Sequence, residues 1–105
     1  MPSPCAQWHL GAHPSLQPLR RGFERFFGFL SGGHSYLTSE YTLPDLYSVA
    51  SAFGSGSHDW YLTYLRSDDE PVRTYTHDYL IDELTDAAVD FIQRAAQGPF
   101  FLYFA

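Results

Sequence analysis

The C-terminal part of the chain constrains the fold most strongly. Apolar residues recur there at three- and four-residue steps, which predicts an amphipathic helix over residues 78–97. The members of this apolar stripe are Leu80, Leu84, Ala88, Phe91 and Ala95. Gly98-Pro99 ends the helix, and residues 100–104 are apolar without polar alternation, as expected for a strand covered on both faces of an α/β sheet. Helix, stop and buried strand form half of a crossover unit, which needs neighbouring strands.

The N-terminal part carries weaker signals. Four prolines and Gly11 predict an irregular, extended lead-in over residues 1–20. Residues 22–37 mix aromatic residues with glycines, which indicates a loop that packs aromatic rings beneath glycine bends.

The central part is predicted to contain a helix and a hairpin. Pro44 at a first turn favours a short helix over 44–53, and Gly-Ser repeats at 54–57 indicate a turn. Residues 60–66 and 71–75 have strand-like composition on either side of the polar turn 67–70, so we predict a small hairpin.

Composition excludes several classes of protein. The chain has 105 residues, enough for one domain at most, and its 45% hydrophobic and 18% aromatic content argues against disorder. A net charge of −6 argues against nucleic acid as a partner. All six basic residues are arginines, so a lysine nucleophile or Schiff base within the chain is excluded. Cys5 is the single cysteine and cannot form an internal disulfide. We see neither a signal peptide nor an apolar run long enough to span a membrane.

Four segments in order carry a resemblance to a known family. They are Trp8-His9-Leu10-Gly11, RGFERFFG at 21–28, YLIDELTDAAVDFI at 79–92 and PFFLYF at 99–104. The set resembles the sulfatase family, and within it arylsulfatases of the N-acetylgalactosamine-4-sulfatase (arylsulfatase B) type. The resemblance covers residues 8–105 and implies that 1–105 is one partial catalytic domain. The fold class it implies is α/β of the alkaline-phosphatase-like type, with a long irregular N-terminal part, a hairpin, one amphipathic helix and a buried C-terminal strand.

The family resemblance also implies a chemistry. Sulfatases hydrolyse sulfate esters with an aldehyde hydrate made from a Cys/Ser-x-Pro-x-Arg motif, while a Ca²⁺ ion polarises the sulfate. A Gly-Lys-Trp-His-Leu-Gly stretch supplies a lysine to the sulfate and a histidine beside the nucleophile. Matched by position, His9 is the catalytic histidine, Gln7 stands at the substrate-binding lysine and Ala6 at the first glycine. Loss of one charged contact costs about 3 kcal/mol of transition-state stabilisation.

The remaining machinery of the family does not match this sequence. Cys5 is followed two residues later by Gln7 instead of proline, so it is not the nucleophile motif, and no acidic pair matches the calcium ligands. The sequence therefore predicts His9 as catalytic, Gln7 as substrate-binding and no metal ligand in this chain. Ca²⁺ is implied only for the parent family.

Other polar residues have plainer interpretations. His9 and His13 have the spacing of a helical zinc pair, but Gly11 and Pro14 disfavour a helix there. The three other histidines, His34, His58 and His77, are interpreted as surface or satisfied polar residues. The acidic turn 68–70 is interpreted as solvated, with calcium binding as the lesser alternative.

The predicted function is hydrolysis of a sulfate ester by the parent protein, acting on a sulfated sugar or an aryl sulfate. The chain alone is predicted to be inactive because nucleophile and metal ligands are missing. Two alternatives stay open: a non-catalytic sulfatase-like binding protein, and a truncated gene model of an active sulfatase. Family members are usually secreted, lysosomal or periplasmic, and the compartment of this chain is not readable. We also expect marginal folding or self-association through an unpaired strand at 100–104.

Overall fold

The computed structural model describes residues 2–32, 34, 36–37 and 65–105. Within these residues, one helix packs on a mixed five-stranded sheet of order β4-β3-β2-β1-β5. The elements are β1 (Pro2–Gln7), β2 (Phe27–Phe29), β3 (Arg66–Ser67), β4 (Glu70–Pro71), α1 (Leu80–Ala95) and β5 (Phe101–Phe104). Strand β1 is parallel to both of its neighbours, β2 and β5. Strand β3 is antiparallel to β2, and β4 is antiparallel to β3. The α/β fold class is confirmed.

Helix α1 forms where the apolar periodicity predicts it. All five residues of the predicted stripe are buried against the rest of the chain. Asp82 and Glu83 lie in the first turn and Arg94 in the last, where the helix dipole favours these charges. The chain leaves the helix before Gly98, whose N–H donates to the carbonyl of Ala95 at 3.2 Å. The prediction is therefore confirmed, with ends two residues shorter on each side.

The predicted irregular lead-in is wrong for residues 2–7, which form β1 near the middle of the sheet. Two prolines argued against a strand because proline lacks an N–H donor. Pro2 and Pro4 are two apart, so both missing donors face the same side of the strand. The N–H of Gln7 donates to the carbonyl of Ala105 beyond β5, so the backbone nitrogens of Pro2 and Pro4 face the β2 side. Strand β1 pairs with β2 only through Cys5, Ala6 and Gln7. The ladder thus needs no donor from either proline. The lead-in continues as two short 3₁₀ turns, Pro14–Leu16 and Pro18–Arg20.

Strands β1 and β2 approach each other unusually closely at one pair. Gly28 lies opposite Ala6, and a Cβ on Gly28 would fall 1.8 Å from the carbonyl oxygen of Ala6. Gly28 has φ +153°, and Ala6 has φ +89°, a left-handed backbone that alanine rarely adopts. The segment 27–29 was predicted as a loop and is instead a short strand, because this glycine permits the close pairing.

The predicted hairpin is confirmed around its turn, but the predicted second strand over 71–75 is too long, because β4 ends at Pro71. Arg66–Ser67 pairs with Glu70–Pro71, and Asp68-Asp69 forms the two-residue connection. The acidic turn is not simply solvated: the carboxylate of Asp68 accepts hydrogen bonds from the Phe26 N–H at 2.9 Å and from Arg25. These bonds fasten the turn to the start of β2. Residues 60–64 of the predicted first strand, the predicted helix 44–53 and the turn 54–57 lie outside the described residues.

The prediction of a buried C-terminal strand is wrong. Strand β5 lies at the edge of the sheet with β1 as its neighbour, and Phe101 and Phe104 are 59% and 52% exposed. The strand is also not unpaired, because it forms a parallel ladder with β1 from Pro2↔Phe101 to Cys5↔Phe104. Burial on both faces requires covering elements that the described residues do not supply. Self-association stays a prediction.

Two apolar clusters hold the described part together. The first lies between α1 and the sheet and consists of Ala6, Phe29, Leu65, Leu80 and Leu84. The second joins β2 to the segment after β1 and consists of Trp8, Ala12, Phe26 and Leu30. Helix α1, within the described ranges, is neither long nor apolar enough to cross a membrane.

Candidate functional site

The two residues predicted for the site lie where β1 ends. Gln7 is the last residue of β1, and His9 follows two positions later. The backbone N–H groups of Trp8 and His9 donate to the carbonyls of Phe29 and Leu30 at 3.0 and 3.2 Å, which ties this segment to the end of β2. The carboxyl ends of the parallel strands β1, β2 and β5 therefore lie side by side at one end of the sheet. We call this end of the strands the carboxyl edge, as distinct from the outer strands of the sheet. Ligand sites of open α/β sheets gather at such an edge.

His9 lies against the backbone of the neighbouring segment. Its φ of +47° is left-handed, a conformation for which histidine is several-fold enriched. The imidazole is exposed and lies over Gly32, where a Cβ would fall 2.6 Å from both Cε1 and Nε2 of the ring. The ring can occupy this position only because residue 32 has no side chain.

Gln7 contacts the same glycine. Its Nε2 donates a hydrogen bond of 3.0 Å to the carbonyl oxygen of Gly32. The side-chain amide is neutral and retains a second N–H, so it can offer a hydrogen bond to an anion but no charge. The structure thus brings the two predicted site residues, Gln7 and His9, together at Gly32.

Trp8 lies between these residues in sequence and anchors them. It is buried, and its indole N–H donates to the carbonyl of Leu16 at 3.1 Å. Its ring packs edge-on against Phe23, with 5.8 Å between ring centroids. This anchor fixes the backbone on which Gln7 and His9 are displayed.

A pocket of about 320 Å³ adjoins Gln7 at the carboxyl edge. Gln7, Gly32, His34 and Tyr36 line it together with apolar residues of α1 and the sheet. His34 is half-buried and its ring lies 4.9 Å from that of Phe29. The sequence analysis did not assign His34 or Tyr36 to the site. Their position directly after β2 and its glycine bends was the signal that could have found them.

Comparisons with known proteins identify the family. No family model matches the chain. N-acetylgalactosamine-6-sulfatase of Mus musculus is 31% identical over 102 residues, covering 94% of this chain, and the Canis lupus familiaris enzyme of the same name is 30% identical over the same length. The crystal structure of Ps i-CgsB covers 99% of this chain with a TM-score of 0.75 and 33% identity, and its complex with k-i-k-neocarrahexaose covers 98% with a TM-score of 0.74 and 34% identity. This chain is a partial sulfatase domain.

The partial sulfatase domain spans 18% of the length of the curated relatives it matches and 23% of the Ps i-CgsB chain. The structural match leaves about 1% of this chain outside, so similarity extends into the leading residues that the motifs did not cover. The curated relatives carry the 6-sulfatase name, whereas the motifs indicated the 4-sulfatase type. The family prediction is confirmed, and the subtype stays a prediction.

The described residues of this sulfatase domain do not fit a calcium site. No three His, Cys, Asp or Glu side chains lie close enough to share a metal ion anywhere in the described ranges. His13, for example, uses its Nδ1 to contact Ser15 at 2.9 Å and to cap a 3₁₀ turn, and does not join His9.

A larger cavity of about 430 Å³ lies at the other end of the parallel strands, which we call the amino edge. Ser3, Arg25 and Glu83 line it. Arg25 forms an ion pair with Asp68 at 3.0 Å, and the buried Glu83 accepts hydrogen bonds from the backbone N–H groups of Thr76 and His77 at 3.0 and 2.9 Å. The charged side chains of Arg25 and Glu83 in this cavity therefore stabilise the fold.

The segment before α1 is tied to the helix through His77. Its Nε2 lies 2.5 Å from the Asp86 carboxylate, and this hydrogen bond, together with the charges of Asp86, Glu83 and Asp82, raises the pKa of His77 above its ordinary value. Partial burial opposes the shift. The prediction that His77 is a satisfied polar residue is confirmed; His58 lies outside the described residues.

Proposed function

We propose that this chain carries part of the catalytic site of a sulfuric ester hydrolase, with His9 as a catalytic residue. Sulfate ester hydrolysis is the activity of the family to which its relatives belong. The observation that carries the assignment to this edge is the convergence of Gln7 and His9 on Gly32, beside a pocket at the carboxyl ends of three parallel strands.

His9 is proposed to exchange a proton with the hydroxyl of the nucleophile. Its imidazole is exposed at the carboxyl edge, and an imidazole ring can act as a general base and, once protonated, as a general acid. Gln7 is proposed to donate its second N–H to a sulfate oxygen. That contact is neutral, so it stabilises developing charge less than a lysine does, by about 3 kcal/mol.

The substrate class proposed is a sulfated sugar. Two findings support it: the curated relatives are named for a sulfated amino sugar, and a complex of Ps i-CgsB contains a carrageenan oligosaccharide. An aryl sulfate is the alternative substrate class and serves as a small probe substrate.

The isolated chain is proposed to be inactive, because neither the nucleophile motif nor an acidic pair for calcium occurs in its sequence. The test is an assay of the purified chain with 4-nitrophenyl sulfate and added Ca²⁺. We expect no turnover above buffer. Turnover that His9→Ala abolishes would overturn the proposed inactivity while supporting His9 as catalytic.

His9→Ala in a longer, active form of the protein tests the catalytic role. We expect turnover to fall far more than substrate affinity, because the contact strengthens as charge develops in the transition state. The melting temperature should stay nearly constant because the ring is exposed. His13→Ala, also exposed, is the matched control. Intact turnover with a large loss of thermal stability would identify His9 as structural.

The two alternatives give different results. A non-catalytic binding protein predicts saturable, salt-sensitive binding of a sulfated oligosaccharide without turnover, although a net charge of −6 disfavours a polyanion. A truncated gene model predicts codons for Cys-x-Pro-x-Arg upstream in the genome and a lysine codon in place of Gln7. Reading the flanking genomic sequence separates these outcomes.

Self-association is proposed to occur through β5. Among the described residues no strand pairs with its outer side, and its aromatic residues are exposed, a combination that favours pairing between chains. Sedimentation velocity of the isolated chain should show species larger than a monomer, and Phe101→Lys should shift the distribution toward monomer. A wild-type monomer with a sharp cooperative melt would contradict the proposal.

A further inference from the structure

Gly32 contacts both site residues, yet its own backbone is not strained. Its φ lies outside the left-handed region that favours glycine, so alanine is compatible with the backbone there. The residue is also exposed and belongs to neither apolar cluster. The need for glycine at this position therefore arises from its neighbours and not from turn geometry or core packing.

Those neighbours are the two side chains of the proposed site. A Cβ on Gly32 would lie 2.6 Å from His9 Cε1 and Nε2 and 3.1 Å from Cδ2, whereas ordinary contacts begin near 3.4 Å. The carbonyl oxygen of the same residue accepts the Gln7 Nε2 hydrogen bond at 3.0 Å. One backbone unit thus sets the position of an imidazole on one side and of an amide on the other.

We infer that Gly32 is a positioning residue, whose missing side chain seats the His9 imidazole and whose carbonyl orients the Gln7 amide. The inference rests on the proposed function for its catalytic consequence, but the seating itself does not depend on turnover. A methyl group at residue 32 displaces the ring by roughly an ångström, and a displacement of that size costs about a hundredfold in rate.

The physical character of the clash decides how the variant should behave. The crowded atoms are the far end of an exposed side chain, and such a side chain swings aside without moving the backbone. Gly32→Ala should therefore leave the fold intact while moving the ring. A residue needed only for folding would give the opposite pattern.

The test uses the full chain with ¹⁵N-labelled histidine and reads the ring resonances of His9 and His13 by NMR. Gly98→Ala is the matched control, because a Cβ there meets nothing within 4 Å. We expect Gly32→Ala to shift the His9 ring resonances, to leave those of His13 in place and to keep the melting temperature. Unchanged His9 resonances, or equal shifts at His13, would overturn the inference.

Kinetics in an active, longer form of the protein add a second readout. Gly32→Ala should lower kcat about a hundredfold with little change in KM, and should add no further loss in a His9→Ala background. Additive losses would overturn the inference. A longer form of the protein that contains the nucleophile motif but hydrolyses no sulfate ester, while its His9 resonances move in Gly32→Ala, would refute the proposed function and leave the seating of the ring intact.

Discussion

The two edges of the sheet differ in what their polar side chains contact. At the amino edge, around the larger cavity, Arg25, Glu83 and His77 contact acidic groups or backbone N–H groups of neighbouring segments. At the carboxyl edge, around the smaller pocket, the Gln7 amide donates to the carbonyl of Gly32 and the His9 ring lies against the same glycine. Charges that satisfy one another stabilise a fold, whereas side chains displayed on a rigid edge are available to a ligand. The proposed site is therefore placed by strand direction and not by cavity size.

Gly28→Ala should have the largest effect, because it breaks the pairing on which both edges depend. The new Cβ would fall 1.8 Å from the Ala6 carbonyl oxygen, and the clash involves backbone on both strands. We expect a loss of about 4 kcal/mol or more, or a chain that does not fold, measured by urea unfolding. Gly98→Ala is the control. A Gly28→Ala chain of near-native stability would show that β1 and β2 do not pair as described.

Glu83→Gln should weaken the amino edge alone. The buried carboxylate accepts two backbone hydrogen bonds, and bonds to a charged acceptor contribute about 1.5–3 kcal/mol. We expect urea unfolding to show a loss of about that size, with the His9 ring resonances unchanged. Asp82→Asn, on the exposed face of the same turn, is the matched control. Equal losses in the two variants would show that the hydrogen bonds to the Glu83 carboxylate add no particular stability.

Asp86→Asn should remove a pH dependence at the same edge. Because the pKa of His77 is raised in the folded chain, the stability this pair provides is fully present below about pH 6.5, the ordinary value. It is lost as the pH rises through the raised pKa. Melting temperatures at pH 5.5 and 9 should therefore differ more in the wild type than in Asp86→Asn. Asp90→Asn is the control, since its partner Arg94 stays charged; an equal flattening there would contradict the assignment.

Ala6→Gly should have the smallest effect and concerns the strand that leads to the carboxyl edge. Glycine relieves the left-handed φ of +89°, a gain of about 1–2 kcal/mol, but loses a buried methyl worth about 0.8 kcal/mol and gains freedom in the unfolded chain. We expect a net change within about 1 kcal/mol by urea unfolding. Gly98→Ala makes the reverse substitution, so its change in stability measures how much the freedom of glycine in the unfolded chain contributes. A large loss would show that the alanine methyl matters more to the core than the strain.

Local signals made part of this structure predictable. The period of apolar residues determines which face of α1 is buried whatever it packs against, and α1 ends shortly before Gly98-Pro99, as those residues predicted. The hairpin turn was readable for the same reason. The positions of Gln7 and His9 were readable only through the family motif, because nothing in the residues themselves distinguishes them from ordinary polar side chains.

Contacts distant in sequence were not predictable. Strand β1, with two prolines, is a strand because β2 and β5 flank it and because the prolines face a side where no donor is needed. The hydrogen bonds from the Thr76 and His77 N–H groups to Glu83, and the position of His34 in the same pocket as Gln7, likewise depend on how the chain returns on itself. Patterns of adjacent residues do not reveal which distant segments become neighbours.

By itself the sequence determined the helix, its buried stripe, the hairpin turn and membership of the sulfatase family, because periodicity, turn chemistry and motif are properties of adjacent residues. The tertiary structure alone decided that 2–7 is an inner strand, that β5 is an exposed edge and that Gln7 and His9 meet at Gly32. The physical reason is that sheet order and close approach are set by segments many residues apart, whose hydrogen bonds and steric limits exist only once the chain has folded.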